Sequence, residues 1–101
     1  MNNTKWNEIF QSFYEAECSM NMRIEWKTKD VNGYVYGWDG TWSHFGCEPT
    51  CYAAIEWLKI KLTDQNRETV LGILKKIHAP GELEKDCVTV YGYRTDVDYI
   101  Q

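Results

Sequence analysis

The dipeptide Asn32-Gly33 is the feature that most constrains how this chain folds, because it joins two segments of alternating hydrophobicity. Apolar residues occupy every second position on both sides of the dipeptide. They are Met20, Met22, Ile24 and Trp26 before it, and Tyr34, Tyr36 and Trp38 after it. An Asn-Gly pair between two segments of this period predicts a β-hairpin.

The number of loop residues decides which way the aromatic rings of the hairpin point. In a two-residue loop, the rings would share a face with lysines and lie in water. If Val31 joins the loop, Asp30 faces Tyr34 across the turn. Trp26 then faces Trp38, and every apolar side chain of the hairpin lies on one face. We favour this register, since exposing each large ring costs on the order of 1.5 kcal/mol.

Nucleic-acid binding is disfavoured by the charge of the chain and by this register. Eleven Lys and Arg against fifteen Asp and Glu give a net charge of −4, whereas a nucleic-acid surface depends on clustered cations. The favoured register also places the aromatic rings away from the lysines, so bases could not stack beside positive charge. The face opposite the rings carries Arg23, Glu25, Lys27, Lys29 and Asp39. We therefore expect no direct binding of nucleic acid.

The rest of the chain predicts three helices and one or two further strands. Apolar residues at helical spacing favour helices over residues 4–17, 49–62 and 65–78. Residues 87–93 are apolar on both faces, which is typical of a strand inside a sheet. Residues 96–100 alternate weakly, as in a short edge strand.

These elements predict one α+β domain over residues 1–101, with the element order α-β-β-α-α-β. We expect the helices to pack on one face of a mainly antiparallel sheet of three to four strands. No internal repeat, low-complexity tract or linker divides the sequence. A chain of 101 residues can bury one ordinary hydrophobic core without disulfides or metals.

The N-terminal residues and the cysteines favour a protein of the cytoplasm that does not enter a membrane. Residues 1–8 lack the basic start and apolar stretch of a secretory signal. No run of apolar residues approaches the roughly 18 needed to span a bilayer. Four cysteines in a reducing compartment stay free, and we expect them to be mostly buried. They are Cys18, Cys47, Cys51 and Cys87.

His44, Cys47 and Cys51 are the strongest candidates for metal binding or catalysis. Zinc needs four nitrogen or sulfur ligands in a tetrahedron, but the spacing lacks the paired Cys-x-x-Cys of structural sites. Cys51 lies in the first turn of a predicted helix and could be a nucleophile with His44 as its base, yet a separation of seven residues does not establish hydrogen-bond reach or a third group to orient the base. A cysteine packed in the core is the simpler interpretation. We expect no catalytic site, metal or cofactor, and a small metal- or thiol-dependent enzyme is the alternative.

Binding of another protein is the remaining interpretation, and two segments favour it. Three tryptophans on apolar faces, Trp6, Trp26 and Trp57, are expected in the core. Trp42 follows the Asp39-Gly40 turn, where we expect it to be partly exposed, and exposed tryptophan is enriched at interfaces. The C-terminal segment is acidic and favours a basic partner. The candidate partner-binding residues are Asp39, Trp42, Asp96, Asp98 and Tyr99.

The run of residues 40–58, the Pro80-Gly81 pair and the strand of residues 88–93 resemble a small, uncharacterised family of bacterial proteins. No catalytic role comes with that resemblance. In size, acidity and lack of an assembled site, the chain is also similar in type to immunity proteins of contact-dependent inhibition and related toxin systems. Such proteins neutralise a cognate toxin domain, often a nuclease, by covering its active site or an adjoining surface. This similarity implies a cytoplasmic immunity protein that binds a basic toxin domain, with a regulatory or scaffold domain as a further alternative.

Overall fold

The computed structural model describes residues 2–42, 45 and 52–93, and these contain two helices and one five-stranded antiparallel sheet. The elements in chain order are α1 (Asn3–Met20), β1 (Trp26–Asp30), β2 (Val35–Asp39), β3 (Ile55–Lys61), α2 (Arg67–Ile77), β4 (Gly81–Leu83) and β5 (Cys87–Tyr91). The strands lie in the order β2-β1-β3-β5-β4. The predicted α+β class and antiparallel sheet are confirmed. The predicted order of elements is wrong in its middle, where a strand replaces a helix.

Helix α1 starts and stops at asparagines. The side chain of Asn2 caps its N-terminus by accepting a hydrogen bond of 2.9 Å from the backbone N–H of Lys5. Asn21 ends it in the left-handed conformation, with a φ of 48°. Met20 therefore belongs to the helix and not to the predicted strand, so β1 begins only at Trp26. The buried stripe of the helix is Trp6, Ile9, Phe13 and Ala16.

The hairpin between β1 and β2 closes through the predicted three-residue loop. The backbone N–H of Asp30 donates to the carbonyl of Tyr34 at 2.9 Å, and the N–H of Gly33 donates to the carbonyl of Asp30 at 3.0 Å. Gly33 has a φ of 92°, which a residue with a side chain rarely adopts. The carboxylate of Asp30 tightens the turn by accepting from the backbone N–H groups of Asn32 and Tyr34, both at 2.9 Å. This part of the register is confirmed.

Strand β3 corrects the prediction of a helix over residues 49–62. It covers Ile55–Lys61 and lies at the centre of the sheet, paired with β1 on one side and β5 on the other. Leu58 and Ile60 are fully buried, whereas Lys59 and Lys61 between and after them are only half-buried. This alternation has the two-residue period of a strand. The apolar residues of this segment also fit the spacing of a helix face, which explains why a helix was predicted. Residues 49–51 lie outside the described part of the chain.

Helix α2 confirms the third predicted helix, and a buried asparagine ties its start to β3. Asn66 is 1% exposed, and its side chain accepts from the N–H of Thr63 at 2.8 Å and donates to the carbonyl of Lys61 at 3.1 Å. Strand β5 has neighbours on both sides, as its apolar sequence predicted. Strand β4 was not predicted because its three residues carry too little pattern.

Both helices share one core with one face of the sheet. Their buried residues belong to a single cluster with Leu58 and Ile60 of β3 and Val88 and Val90 of β5. The opposite face, called the outer face below, carries side chains that alternate with these. Its members on β1 and β3 are Lys27, Lys29, Trp57, Lys59 and Lys61. Neither helix in the described ranges has the length and hydrophobicity needed to cross a membrane.

Candidate functional site

Strand β2 forms one edge of the sheet, and the strand and the turn before it carry most of the large hydrophobic side chains that remain exposed in the described part of the chain. Of nine such residues in the described part of the chain, five belong to residues 31–38. Their exposed fractions are 54% for Val31, 67% for Tyr34, 45% for Val35, 41% for Tyr36 and 39% for Trp38. Exposed hydrophobic side chains are ordinary when scattered, but a group concentrated on an edge strand and its adjoining turn indicates an interaction surface.

The edge of β2 that points away from β1 also presents backbone N–H and carbonyl groups that form no hydrogen bond within the sheet. The backbone of Asp30 forms a hydrogen bond with that of Tyr34 across the turn. Two residues further from the turn on each strand, Thr28 faces Tyr36. Because hydrogen-bonded pairs alternate in an antiparallel ladder, the N–H and carbonyl groups of Val35 point away from β1. An edge of this kind accepts hydrogen bonds from an additional strand.

A β-bulge changes the direction of one aromatic ring on this edge. Lys27 pairs with Gly37, but the preceding residue of β1, Trp26, pairs with Asp39, which leaves Trp38 as the extra residue. Gly37 has a φ of 119°, and a Cβ at this position would lie 2.6 Å from the carbonyl oxygen of Trp26. Only glycine fits there. The expectation that Trp26 faces Trp38 is therefore wrong.

Because of the bulge, the two faces of the sheet carry different kinds of side chain at β2. The ring of Trp38 lies on the outer face, 5.5 Å from Nζ of Lys27 and 4.8 Å from Nζ of Lys61. The ring of Tyr36 stays on the other side, with its centroid 5.3 Å from that of Trp26. The predicted separation of aromatic rings from lysines thus fails for Trp38. The rings and ammonium groups on the outer face attract each other through the ring quadrupole.

Carboxylates balance most of the positive charge on the outer face. Three of its lysines form ion pairs, which are Lys29 with Glu56 at 3.1 Å, Lys61 with Glu25 at 3.6 Å and Lys59 with Glu84 at 3.9 Å. Lys27 makes no ion pair with the residues that the structure describes, and its ammonium contacts only the ring of Trp38. The positive charge available to a ligand is therefore concentrated beside β2.

Asp39, a predicted partner-binding residue, holds the end of β2 in place. Its carboxylate accepts from the hydroxyl of Tyr36 and from the backbone N–H of Thr41, both at 2.7 Å. The hydrogen bond to this carboxylate raises the pKa of Tyr36, with burial and the negative charge adding to the effect. Asp39 therefore fixes the position of the Tyr36 hydroxyl and of the backbone that follows β2.

Trp42, expected at the surface, is completely buried. Its Nε1 donates to the carbonyl of Ile24 at 2.9 Å, and its ring stacks on Phe13 with 4.7 Å between centroids. The expectation of exposure is wrong because this ring fills the space between α1 and the sheet. Trp6 and Trp26 are buried as predicted, but Trp57 lies on the outer face with Nζ of Lys59 5.3 Å from its ring.

The remaining predicted site residues cannot be placed beside this edge. Asp96, Asp98 and Tyr99 lie outside the described residues, and so do His44, Cys47 and Cys51. Of the five predicted partner-binding residues, the described part of the chain contains Asp39, which lies at the end of β2, and Trp42, which lies in the core. Within residues 2–42, 45 and 52–93, no three His, Cys, Asp or Glu side chains converge on a point suited to a metal ion.

The two described cysteines are free, and neither is buried as expected. Cys18 is exposed on α1, and Cys87 is half-buried on the outer face. Burial and the neighbouring Glu84 raise the pKa of the Cys87 thiol to about 11, so little reactive thiolate forms at neutral pH. These features do not support thiol chemistry at Cys87.

Two features of this edge were not predicted from the sequence. They are the bulge and the backbone N–H and carbonyl of Val35, which point away from β1. One signal was present, since an isolated glycine within a strand pattern indicates a bulge or a close backbone approach. Gly37 is such a glycine, between Tyr36 and Trp38. Its role depends on the carbonyl of Trp26, which belongs to the other strand of the hairpin.

Comparison with known proteins places the chain in a family and gives no further information on its function. A family model described as a family of unknown function (DUF6678) matches residues 1–97. No curated protein and no solved structure matches the chain.

Proposed function

The chain belongs to this family of unknown function, and we propose that it is a binding protein that captures an extended segment of another protein along strand β2. The observation that carries the proposal is the combination of an open sheet edge and exposed aromatic side chains on the same strand. Backbone hydrogen bonds to such an edge supply affinity, and side chains on either side supply specificity.

The aromatic side chains support a specific contact at this edge. Tyr34 and Tyr36 keep 67% and 41% of their surface exposed, so a bound segment can bury them. Tyrosine contributes a large rigid area with little conformational entropy to lose, which explains its frequency at protein interfaces. A shallow concavity of about 370 Å³ runs along residues 34–39 and provides room for the first contacts.

Single-stranded nucleic acid is a less suitable ligand for this surface. The outer face does combine tryptophan rings with lysines, as nucleic-acid platforms do. However, carboxylates neutralise three of the four lysines, and the net charge of the chain is −4. Tight, salt-sensitive binding of oligothymidine in a fluorescence anisotropy titration would favour the nucleic acid and count against the protein ligand.

Toxin neutralisation is a specific form of this proposal. An immunity protein of the type expected from the sequence would act in the cytoplasm by holding a segment of the toxin domain next to its active site. Its support is the sequence-based likeness of type together with the open edge. A toxin domain encoded beside this chain should copurify with it and lose toxicity when the two are coexpressed. A neighbouring toxin that stays active would refute the immunity role and leave the binding edge intact.

Substitution at Val35 tests the binding edge itself. Val35→Pro removes an N–H that points away from β1, so the hairpin ladder should survive, because proline is tolerated on an edge strand. Val35→Thr is the matched control, since threonine keeps both the N–H and the β-branched shape. We expect the proline variant to lose at least about tenfold in affinity for the captured protein and the threonine variant to retain it.

Amide hydrogen exchange provides the direct readout of the added strand. The N–H of Val35 should exchange more slowly when the partner is bound, because it gains a hydrogen bond. Leu83→Ser is a control at the opposite edge, where Leu83 is 52% exposed on β4, and it should leave binding unchanged. Full affinity in Val35→Pro, or loss of affinity in Leu83→Ser, would show that the partner does not use β2.

A further inference from the structure

The two faces of the sheet differ in charge at β2. This difference determines which side chains a segment bound along β2 should carry. We propose that the captured segment is an extended stretch of another protein in which carboxylate side chains alternate with apolar ones. The inference rests on the proposed function, because it requires that the segment pair with β2. A strand added to β2 sends alternate side chains to the two sides, so each side selects every second residue of the segment.

The outer face, which carries Lys27, selects carboxylate side chains of the bound segment. Lys27 faces Gly37, which has no side chain, so the ammonium of Lys27 can reach past Gly37 toward a strand added beside β2, with the ring of Trp38 5.5 Å away. Neighbouring strands lie about 4.8 Å apart, which puts the added strand roughly 10 Å from β1. A lysine and a glutamate side chain together cover this distance. Lys27 also makes no ion pair with the described residues, so its charge is available to the segment.

The opposite side selects apolar or aromatic residues. Tyr36 lies on this side, where its ring contacts that of Trp26, and its exposed fraction remains 41%. Tyr34, two residues earlier on the strand, points the same way and is 67% exposed. Cross-strand pairs of aromatic and β-branched side chains are among the favourable pairs in sheets. Valine, isoleucine or an aromatic residue therefore fits opposite these rings.

A second copy of this chain fits the edge less well. If two copies of β2 paired in antiparallel fashion around a twofold axis, their outer faces would lie on the same side of the joined sheet. The two Lys27 side chains would then approach each other across the junction, with no carboxylate of the described residues bound to either. The two β1 strands would be about 14 Å apart, so the two ammonium groups would repel each other and neither would gain an opposite charge. The edge therefore favours a different protein with negative charge.

Three labelled hexapeptides test the proposal by fluorescence anisotropy with the full chain. One alternates glutamate and valine, the second alternates lysine and valine, and the third has three glutamates followed by three valines. The alternating glutamate peptide should bind about three- to tenfold more tightly than either of the others, as expected for a few exposed charge pairs and one correct register. Equal binding of all three would overturn the proposed alternation.

A charge reversal at Lys27 identifies the residue responsible. Lys27→Glu should reverse the preference in favour of the lysine peptide, and Lys27→Gln should abolish the preference. Lys75→Glu on α2 makes the same charge change at an exposed position of another element and should leave the preference as it is. An unchanged preference in Lys27→Glu would overturn the assignment of the outer face.

Two failures can be told apart. If none of the peptides binds and none slows exchange of the Val35 amide, then both the edge and its preference are wrong. If glutamate and lysine peptides bind equally, and Val35→Pro abolishes the binding of both, then β2 is a binding edge without charge selectivity. Dimerisation of the chain through β2, detected by light scattering and removed by Val35→Pro, would identify a second copy as the occupant and overturn the proposal.

Discussion

The Sγ of Cys87 donates a hydrogen bond of 2.7 Å to Oε2 of Glu84. The same carboxylate oxygen lies 3.4 Å from Oγ1 of Thr89 and 3.9 Å from Nζ of Lys59. The hydrogen bond from Cys87 is the main reason that the pKa of Glu84 is lowered, and the ammonium of Lys59 adds to the effect. The thiol is thus held in its protonated form, which has a measurable consequence.

Alkylation of Cys87 should remain slow until the pH approaches 11. The thiolate is the reactive form, and a pKa raised to about 11 leaves less thiolate at any lower pH than an ordinary cysteine would have. Glu84→Gln removes the negative charge that opposes ionisation, so the midpoint of the reaction should move to lower pH. The measurement is the rate of iodoacetamide labelling against pH, with the other three cysteines replaced by serine. A midpoint near 9 in the parent chain would contradict the burial of the thiol together with its hydrogen bond to Glu84.

Trp42→Ala should destabilise the protein far more than Trp38→Ala. Trp42 is buried, stacked and hydrogen-bonded, and truncating such a ring costs about 3–5 kcal/mol. Trp38 is 39% exposed and contacts ammonium groups, so its removal should cost less than about 1 kcal/mol. Urea unfolding followed by circular dichroism gives both free energies of unfolding. Similar losses in the two variants would mean that Trp42 does not belong to the core.

Gly37→Ala should destabilise the hairpin by about 2 kcal/mol or more, because the new methyl group meets the carbonyl of Trp26 in a conformation that alanine avoids. Gly72→Ala is the matched control. Gly72 lies within α2 with open space around it, so alanine there should stabilise the protein by about 0.5–1 kcal/mol. Thermal unfolding of both variants checks the prediction, and a neutral Gly37→Ala would rule out the bulge.

Asp39→Asn should lower the pKa of Tyr36. The carboxylate accepts the hydroxyl proton of Tyr36 in a hydrogen bond and opposes ionisation of the phenol, and an amide carries no charge to do so. The midpoint of the Tyr36 titration should therefore fall toward its ordinary value of 10.0. Nuclear magnetic resonance of ring-labelled tyrosine resolves this midpoint, with Tyr36→Phe identifying the signal. No change in Asp39→Asn would contradict the contact.

The parts of the fold that depend on neighbouring residues could be predicted from the sequence, whereas those that depend on distant contacts could not. The hairpin loop followed from Asn32 and Gly33 because turn conformation is set by the loop residues themselves. The direction of Trp38 could not be predicted, because it depends on how Gly37 packs against the carbonyl of Trp26 on the other strand.

Strand β3 shows the same limit for secondary structure. Ile55, Leu58 and Leu62 are spaced as on a helix face, while Leu58 and Ile60 are spaced as on a strand. The choice between these patterns is made by β1 and β5, which supply hydrogen bonds to both sides of β3 and are 25 or more residues away in sequence. The exposed edge could not be predicted for a related reason, since a strand is known to be an edge only when the order of the whole sheet is known.

The bulge on β2 places Trp38 outside the pairing that joins β1 and β2. Lys27 keeps its partner Gly37, and Trp26 keeps its partner Asp39, whichever side chain stands between the two partners. The residue at position 38 therefore has no partner on β1, unlike its neighbours on β2. A substitution at that position would therefore change the side chain on the outer face beside this edge and leave the pairing of Gly37 and Asp39 with β1 in place.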